Sequence, residues 1–97
     1  MPAAHRHHDT CTGHSCFPPR QNIEGSATVF INGQGAHRVG DHWAQHACPG
    51  GPPHDGRLAQ GSPTVFIDGQ AAGRIGDAIS CGSRCATGSP DVVFDGQ

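Results

Sequence analysis

Thr28 to Asp41 reads TVFINGQGAHRVGD, and Thr64 to Asp77 reads TVFIDGQAAGRIGD. Each stretch joins a short apolar run to a second run ending in Arg-x-Gly-Asp, through Asn32-Gly33 or Asp68-Gly69. Asn-Gly and Asp-Gly between apolar runs are strong signals for a two-residue hairpin turn, because both central residues must take positive φ. A two-residue loop sets Val29 opposite Ala36 and Ile31 opposite Gln34. Small residues at 35, 36, 71, 72 and 73 predict close backbone approach near a narrow axis.

Working outward, the first half of the unit occurs a third time. Gly88-Ser89-Pro90-Asp91-Val92-Val93-Phe94-Asp95-Gly96 aligns with the stretches that begin at Gly25 and Gly61. The second half also recurs, but at the other end of the chain: Ala4-His5-Arg6-His7-His8-Asp9 aligns with Ala36 to Asp41 and Ala72 to Asp77. A chain that starts with one half unit and finishes with its complement forms three whole units if Phe94-Asp95-Gly96 lies beside Ala4-His5-Arg6. The expectation is one all-β domain over residues 1–97, pseudo-threefold, built from short hairpins and closed by pairing of the chain ends.

The bulk composition says what such a domain must rely on. Only 34% of the 97 residues are hydrophobic, with five aromatics, fifteen Gly and eight Pro. Burial is marginal at this size, and small folds depend on metals, disulfides or partners. Eight His and five Cys therefore weigh more than the apolar content. The odd cysteine count and the mixture with His favour a metal over a purely disulfide framework. The formal net charge is −2, Lys is absent and the six Arg are scattered, so nothing suggests nucleic acid. No apolar stretch resembles a signal peptide or reaches transmembrane length.

Three segments follow the aspartates: Asp9 to Gly25, Asp41 to Gly61 and Asp77 to Gly88. Rich in Gly, Pro, Cys and His without helical period, they are predicted as ordered loops, the longest holding at most one helical turn around Trp43. His14 lies five residues after Asp9, His46 five after Asp41, and Cys81 four after Asp77. Threefold closure brings these positions towards a common axis. His42, four residues before His46, is the expected fourth ligand, with His37, Cys16 and Cys48 as competitors. Three imidazoles and a thiolate suit one structural zinc ion with no position left for water, although iron is not distinguished. Cys16 and Cys48, each seven residues after its aspartate, can serve as ligands or pair with each other. Cys11 and Cys85 have no repeat partner. His5 and His37 precede the repeat arginine and are expected on a strand surface, while His5, His7, His8 and His54 are expected to be solvated or hydrogen-bonded.

Arg6, Arg38 and Arg74 each precede an aspartate by three residues; their symmetric repetition argues for architecture, because an active site needs different groups in different roles. There is no GxSxG elbow, and HWAQH lacks the glutamate of HExxH. A small zinc hydrolase and a disulfide-bonded secreted binding module are the competing readings.

MPAAHRHHD, AHRVGD and AAGRIGD, with the GSxTVFINGQ-type strand and turn, resemble the PAAR-repeat proteins, as do the loops DTCTGHSCFPPR, DHWAQHAC and GDAISCGS. The motif is altered in every copy: His5 is inserted before Arg6, and the others read Gly35-Ala36-His37-Arg38 and Ala71-Ala72-Gly73-Arg74. The resemblance spans essentially the whole chain. It implies a sharp cone with zinc near the point, whose base caps the trimeric VgrG spike of a type VI secretion system or a related phage tail spike. It implies a structural, non-enzymatic role in piercing target membranes and in delivering effectors, which would bind separately or through an adaptor. Such a protein is cytoplasmic before firing and leaves with the spike, without a signal peptide.

Overall fold

The computed structural model describes residues 2–48 and 51–94, and among these it contains strands and turns but no helix. Strands β1 (Phe30–Ile31) and β2 (Gln34–Gly35) form one hairpin, β3 (His42–Cys48) and β4 (Gly51–Arg57) a second, β5 (Phe66–Ile67) and β6 (Gln70–Ala71) a third. In the β1–β2 pair Ile31 faces Gln34, and in the β5–β6 pair Ile67 faces Gln70. The N–H of Ala36 donates to Val29 O and that of Ala72 to Val65 O, both at 2.9 Å, so the register follows the turn. Asn32 and Gly33 have φ of 54° and 79°, Asp68 and Gly69 of 53° and 82°, the two positive values that a type I′ turn requires.

Threefold closure is written in the backbone. Arg6 bridges Ala36, Arg38 bridges Ala72 and Arg74 bridges Ala4, so each unit hands on to the next and the third returns to the first. At the centre, the N–H of His5 donates to Gly73 O, that of Gly73 to His37 O, and that of His37 to His5 O, at 3.0, 2.8 and 3.1 Å. The split unit joins as its copies do: Ala4 N donates to Val92 O, and Phe94 N to Pro2 O. Because the pairing is antiparallel, the partner of Phe94 is Pro2 rather than the Ala4-His5-Arg6 run expected beside it. The third turn, Asp95-Gly96, lies outside the described residues.

Below this ring, Ile31 and Ile67 bury against Ala4, Ala36 and Ala72, with Phe94 partly buried at the place equivalent to the two isoleucines. Each unit is locked by the same side-chain bonds. Ser26, Ser62 and Ser89 Oγ accept from the N–H groups two and three residues ahead, and each repeat arginine grips its aspartate through its own N–H and its guanidinium. The Arg-x-Gly-Asp turn needs positive φ at the third residue; Gly40 and Gly76 supply 94° and 90°, and His8 adopts 79° where the first copy has no glycine.

The segments after the aspartates are a second tier of hairpins. In the first, Cys11 N donates to Arg20 O and His14 pairs with Phe17; the second is β3–β4; in the third, Ala78 bridges Arg84 and Ile79 N donates to Ser83 O. Where a helical turn around Trp43 is predicted, Trp43 sits in β3 and pairs with Gly56, because β3 finds a partner on each side, β4 on one and Asn22 on the other. Three bridges join the tier into a ring of its own: Asn22–Trp43, Leu58–Ile79 and Cys11–Cys85. Its core is Cys11, Trp43, Leu58, Ile79 and Cys85.

Between the tiers lie His5 and His37, both fully buried and not on a strand surface as predicted. The residue before the repeat arginine faces the axis, so its side chain points inward, His5 stacking on Trp43 and His37 meeting it edge-on. Each Nδ1–H donates to a backbone carbonyl at 2.7 Å, Thr87 O for His5 and Glu24 O for His37. Burial, reinforced by neighbouring His5, lowers the His37 pKa to about 3, so both rings do their packing uncharged. The third equivalent is Gly73, where an added Cβ would meet Leu58 at 2.7 Å; the leucine occupies the place of a third imidazole.

Candidate metal centre

At the far end of the second tier, residues of the three hairpins converge. His14 stands at the tip of the first, beside Ser15 with φ of 50°; His46 and His54 face each other across β3–β4; Cys81 lies in the turn of the third, next to Gly82 with φ of 105°. One donor atom from each of these four residues lies within 4.8 Å of the others. His14 Nε2 is 3.0 Å and His46 Nε2 2.7 Å from His54 Nε2. Phe17 packs against all three imidazoles, with ring centres 4.2 to 5.0 Å away.

The protons available to the three rings decide whether a metal fits. His46 Nδ1 is 2.8 Å from Pro18 O, a carbonyl that only accepts, so the Nδ1 carries the proton and the neutral ring turns a lone pair inward at Nε2. His54 can give its single Nε2 proton to His46, but the same nitrogen then offers nothing to His14. The three converging nitrogens cannot all be satisfied as neutral imidazoles. A cation accepting a lone pair from each removes the conflict, and tetrahedral zinc at about 2.0 Å from nitrogen and 2.3 Å from sulfur sets donors roughly 3.3–3.7 Å apart, the scale of this cluster. The Pro18 contact is the kind of bond that orients a ligating histidine from behind. Burial, followed by the positive charge of Arg20 and the other two rings, lowers the His46 pKa, which favours the unprotonated form that a metal needs.

Of the residues predicted as ligands, the fold brings His14, His46 and Cys81 together and leaves His42 out. His42 is half-exposed, and its Nδ1 lies 2.7 Å from Glu24 Oε1. Trp43 faces Gly56 and His46 faces His54, three residues against two, so a bulge between them breaks the alternation of β3 and turns His42 away from the face that carries His46; the i, i+4 spacing that serves a helix fails here. His54, expected to be solvated or hydrogen-bonded, stands in that place, its Nε2 within hydrogen-bond reach of His14 and His46. Its signal in the sequence was the turn dipeptide Pro49-Gly50; β3 and β4 pair antiparallel, and a register shift between His46 and Cys48 makes the pairing 46 with 54. Of the competing ligands, His37 is buried between the tiers, and Cys16 and Cys48 form a disulfide, Cα atoms 5.5 Å apart, that links the first two hairpins.

Arg20 backs the cluster. Its guanidinium lies over Trp43, donates to Ala44 O at 2.7 Å, to Cys11 Sγ at 3.1 Å and to Cys81 Sγ at 3.4 Å. Beside Cys81 the surface opens into a hollow of about 330 Å³ lined by His54, Asp55, Gly56, Arg57, Ser80 and Cys81.

Fold and site together define a small all-β protein whose single chain imitates threefold symmetry and whose hairpin tips gather a His and Cys cluster able to hold a metal ion. The family model for the PAAR motif matches residues 23–87, about two thirds of the chain, and the chain belongs to that family. No curated protein matches it in sequence.

Proposed function

We propose that this chain is a spike tip: a structural, non-enzymatic cap on the VgrG-type trimer of a type VI secretion system or a related phage tail spike, sharpened at the other end by one zinc ion. The observation that carries this reading is a triplet of apolar side chains at equivalent places in the three units. Phe30 and Phe66 are 60 and 61% exposed, and Val93, in the split unit, 50%. Scattered single apolar residues on a surface need no explanation, but a repeated set on one ring does. A trimer offers three identical contacts, and a closed pseudo-threefold ring can meet all three while covering strand edges that otherwise invite aggregation.

At the opposite end His14, His46, His54 and Cys81 hold the metal. Zinc there ties three hairpin tips where few residues remain to form a core; four protein donors complete its tetrahedron, which suits a structural site. On this reading the chain is made in the cytoplasm, leaves with the spike, touches the target membrane in passing, and works with effectors that bind separately or through an adaptor.

Docking tests the proposal. The chain should bind a VgrG-type trimer at one copy per trimer, measured by light scattering coupled to size-exclusion chromatography, and Phe30→Asp with Phe66→Asp should weaken binding at least tenfold while zinc content stays at one. Undiminished binding by the double variant would place the interface elsewhere, and three copies per trimer would end the symmetry reading.

A further inference from the structure

The second-tier ring has three junctions between hairpins, and they are not equivalent. The first and second hairpins are joined through β1–β2, the second and third through β5–β6, each by continuous chain. The third and first are the seam, where only non-covalent contacts connect residues near opposite ends of the sequence. At this seam, Cys11 faces Cys85.

The pair has the backbone geometry of a cross-strand disulfide. Thr12 N donates to Arg84 O at 2.9 Å and Ala86 N to Thr10 O at 2.8 Å, so the bonds flank the two cysteines and leave them as a non-hydrogen-bonded antiparallel pair. In such pairs the Cα atoms approach to roughly 4.5 Å and the side chains leave the sheet on the same face, within the range of about 4.4–6.8 Å that a disulfide spans. Both side chains point into one apolar cluster with Trp43, Leu58 and Ile79, and both are free thiols. The other two bridges of this ring pair Asn22 with Trp43 and Leu58 with Ile79, so two cysteines meet only at the seam.

We propose that Cys11 and Cys85 are a redox pair that forms a second disulfide, closing the seam covalently when the protein meets an oxidant. The chemistry needs a small peroxide. Cys11 thiolate attacks one oxygen of hydrogen peroxide, the O–O bond breaks, and hydroxide leaves Cys11 as a sulfenic acid. Cys85 sulfur then attacks the Cys11 sulfur; the S–O bond breaks, the thiol proton goes to the departing hydroxide, and water and a disulfide result. The sulfur pair loses two electrons in all and the peroxide gains them.

The two positions are chemically unequal in the direction this order requires. Burial disfavours a thiolate at Cys11, but the N–H groups of Arg20 and Gly13 and the Arg20 guanidinium all donate to its sulfur, and the balance lowers its pKa. At Cys85 burial, with the charge of nearby Asp77, raises the pKa, and among the described residues no donated hydrogen bonds of the kind Cys11 receives offset it. Cys11 is therefore the atom oxidised first and Cys85 the one that resolves it.

The test uses the whole zinc-loaded chain, hydrogen peroxide as the probe and peptide mapping without reduction. Cleavage after arginine gives residues 7–20, containing Cys11 and Cys16, and residues 85–97, containing Cys85 as their sole cysteine. Residues 7–20 already carry residues 39–57 through the Cys16–Cys48 disulfide; peroxide should add residues 85–97 to this pair with the loss of two further hydrogens, and fragment ions that cut between Cys11 and Cys16 should place the new bond at Cys11. The same linkage found before treatment would also support the pair. Cys85→Ala should leave a Cys11 sulfenic acid that dimedone traps, which the unaltered chain does not accumulate. Should that variant fail to fold, the joined peptide in the unaltered chain decides alone. Cys11 and Cys85 both alkylated as free thiols after treatment and unfolding, or Cys11 driven to sulfinic acid without the cross-link, would overturn the proposal.

Discussion

A single side chain separates the ligand set expected from spacing from the one the fold assembles. His42 and His54 are both on the β3–β4 hairpin, yet His42 meets Glu24 near the base of the tier while His54 meets His46 and His14 at its tip. His54→Ala should therefore lower zinc well below one equivalent per chain by atomic emission. Thermal stability should fall by more than about 5 °C, the shift that roughly 1 kcal/mol makes in a domain of this size, since structural zinc contributes on the order of 10 kcal/mol in small metal-dependent domains. His42→Ala removes an exposed pair with Glu24 and should keep its zinc, with stability changed by less than about 1 kcal/mol. Retained zinc in the first variant with loss in the second would restore the i, i+4 ligand set.

At the scale of elements, the two glycines of the first hairpin do different things. Gly33 is in the turn at φ of 79° with open space around its Cβ position; Gly35, in β2, has a Cβ position 2.4 Å from Ser26 O. Gly33→Ala should cost about 1 kcal/mol through left-handed backbone strain. Gly35→Ala forces a backbone carbonyl aside and should cost more than about 2 kcal/mol, so chemical denaturation of the two variants ought to rank them in that order; the reverse ranking would mean that the close approach is soft. The hairpins that carry these glycines were legible because turn chemistry and repetition are local signals: Asn32-Gly33 and Asp68-Gly69 fix type and register together. The second tier was not. Its hairpins lack a common turn motif and differ in length, and β3 is held by Asn22 as well as by β4, so pairing depends on contacts between units that no window of sequence contains. The same reason hid His5 and His37. A histidine before an arginine reads as surface, and only ring closure turns it towards the axis.

For the whole molecule, the two tiers are held by different physics, and this difference should be measurable. The lower ring is closed by backbone bonds among His5, Gly73 and His37 and by buried Arg–Asp pairs, Arg74 with Asp77 the most enclosed; none of these requires a metal. At the upper end what converges is four metal donors around Phe17, with the Cys16–Cys48 disulfide tying the first two hairpins. Local opening follows local support. Stripping the metal with a chelator at neutral pH should therefore speed hydrogen exchange at least tenfold at tip amides such as His14 and Phe17, which bond to each other across the first turn. Exchange at His5, His37 and Gly73 should change far less. The third tip, tethered by Cys81 alone among the four donors and by no observed disulfide, should loosen most, with the Ile79–Ser83 bond opening. Equal acceleration in both tiers would show instead that the metal supports the entire fold as one cooperative unit. No acceleration anywhere would show that the packing around Phe17 and the disulfide suffice to hold the point.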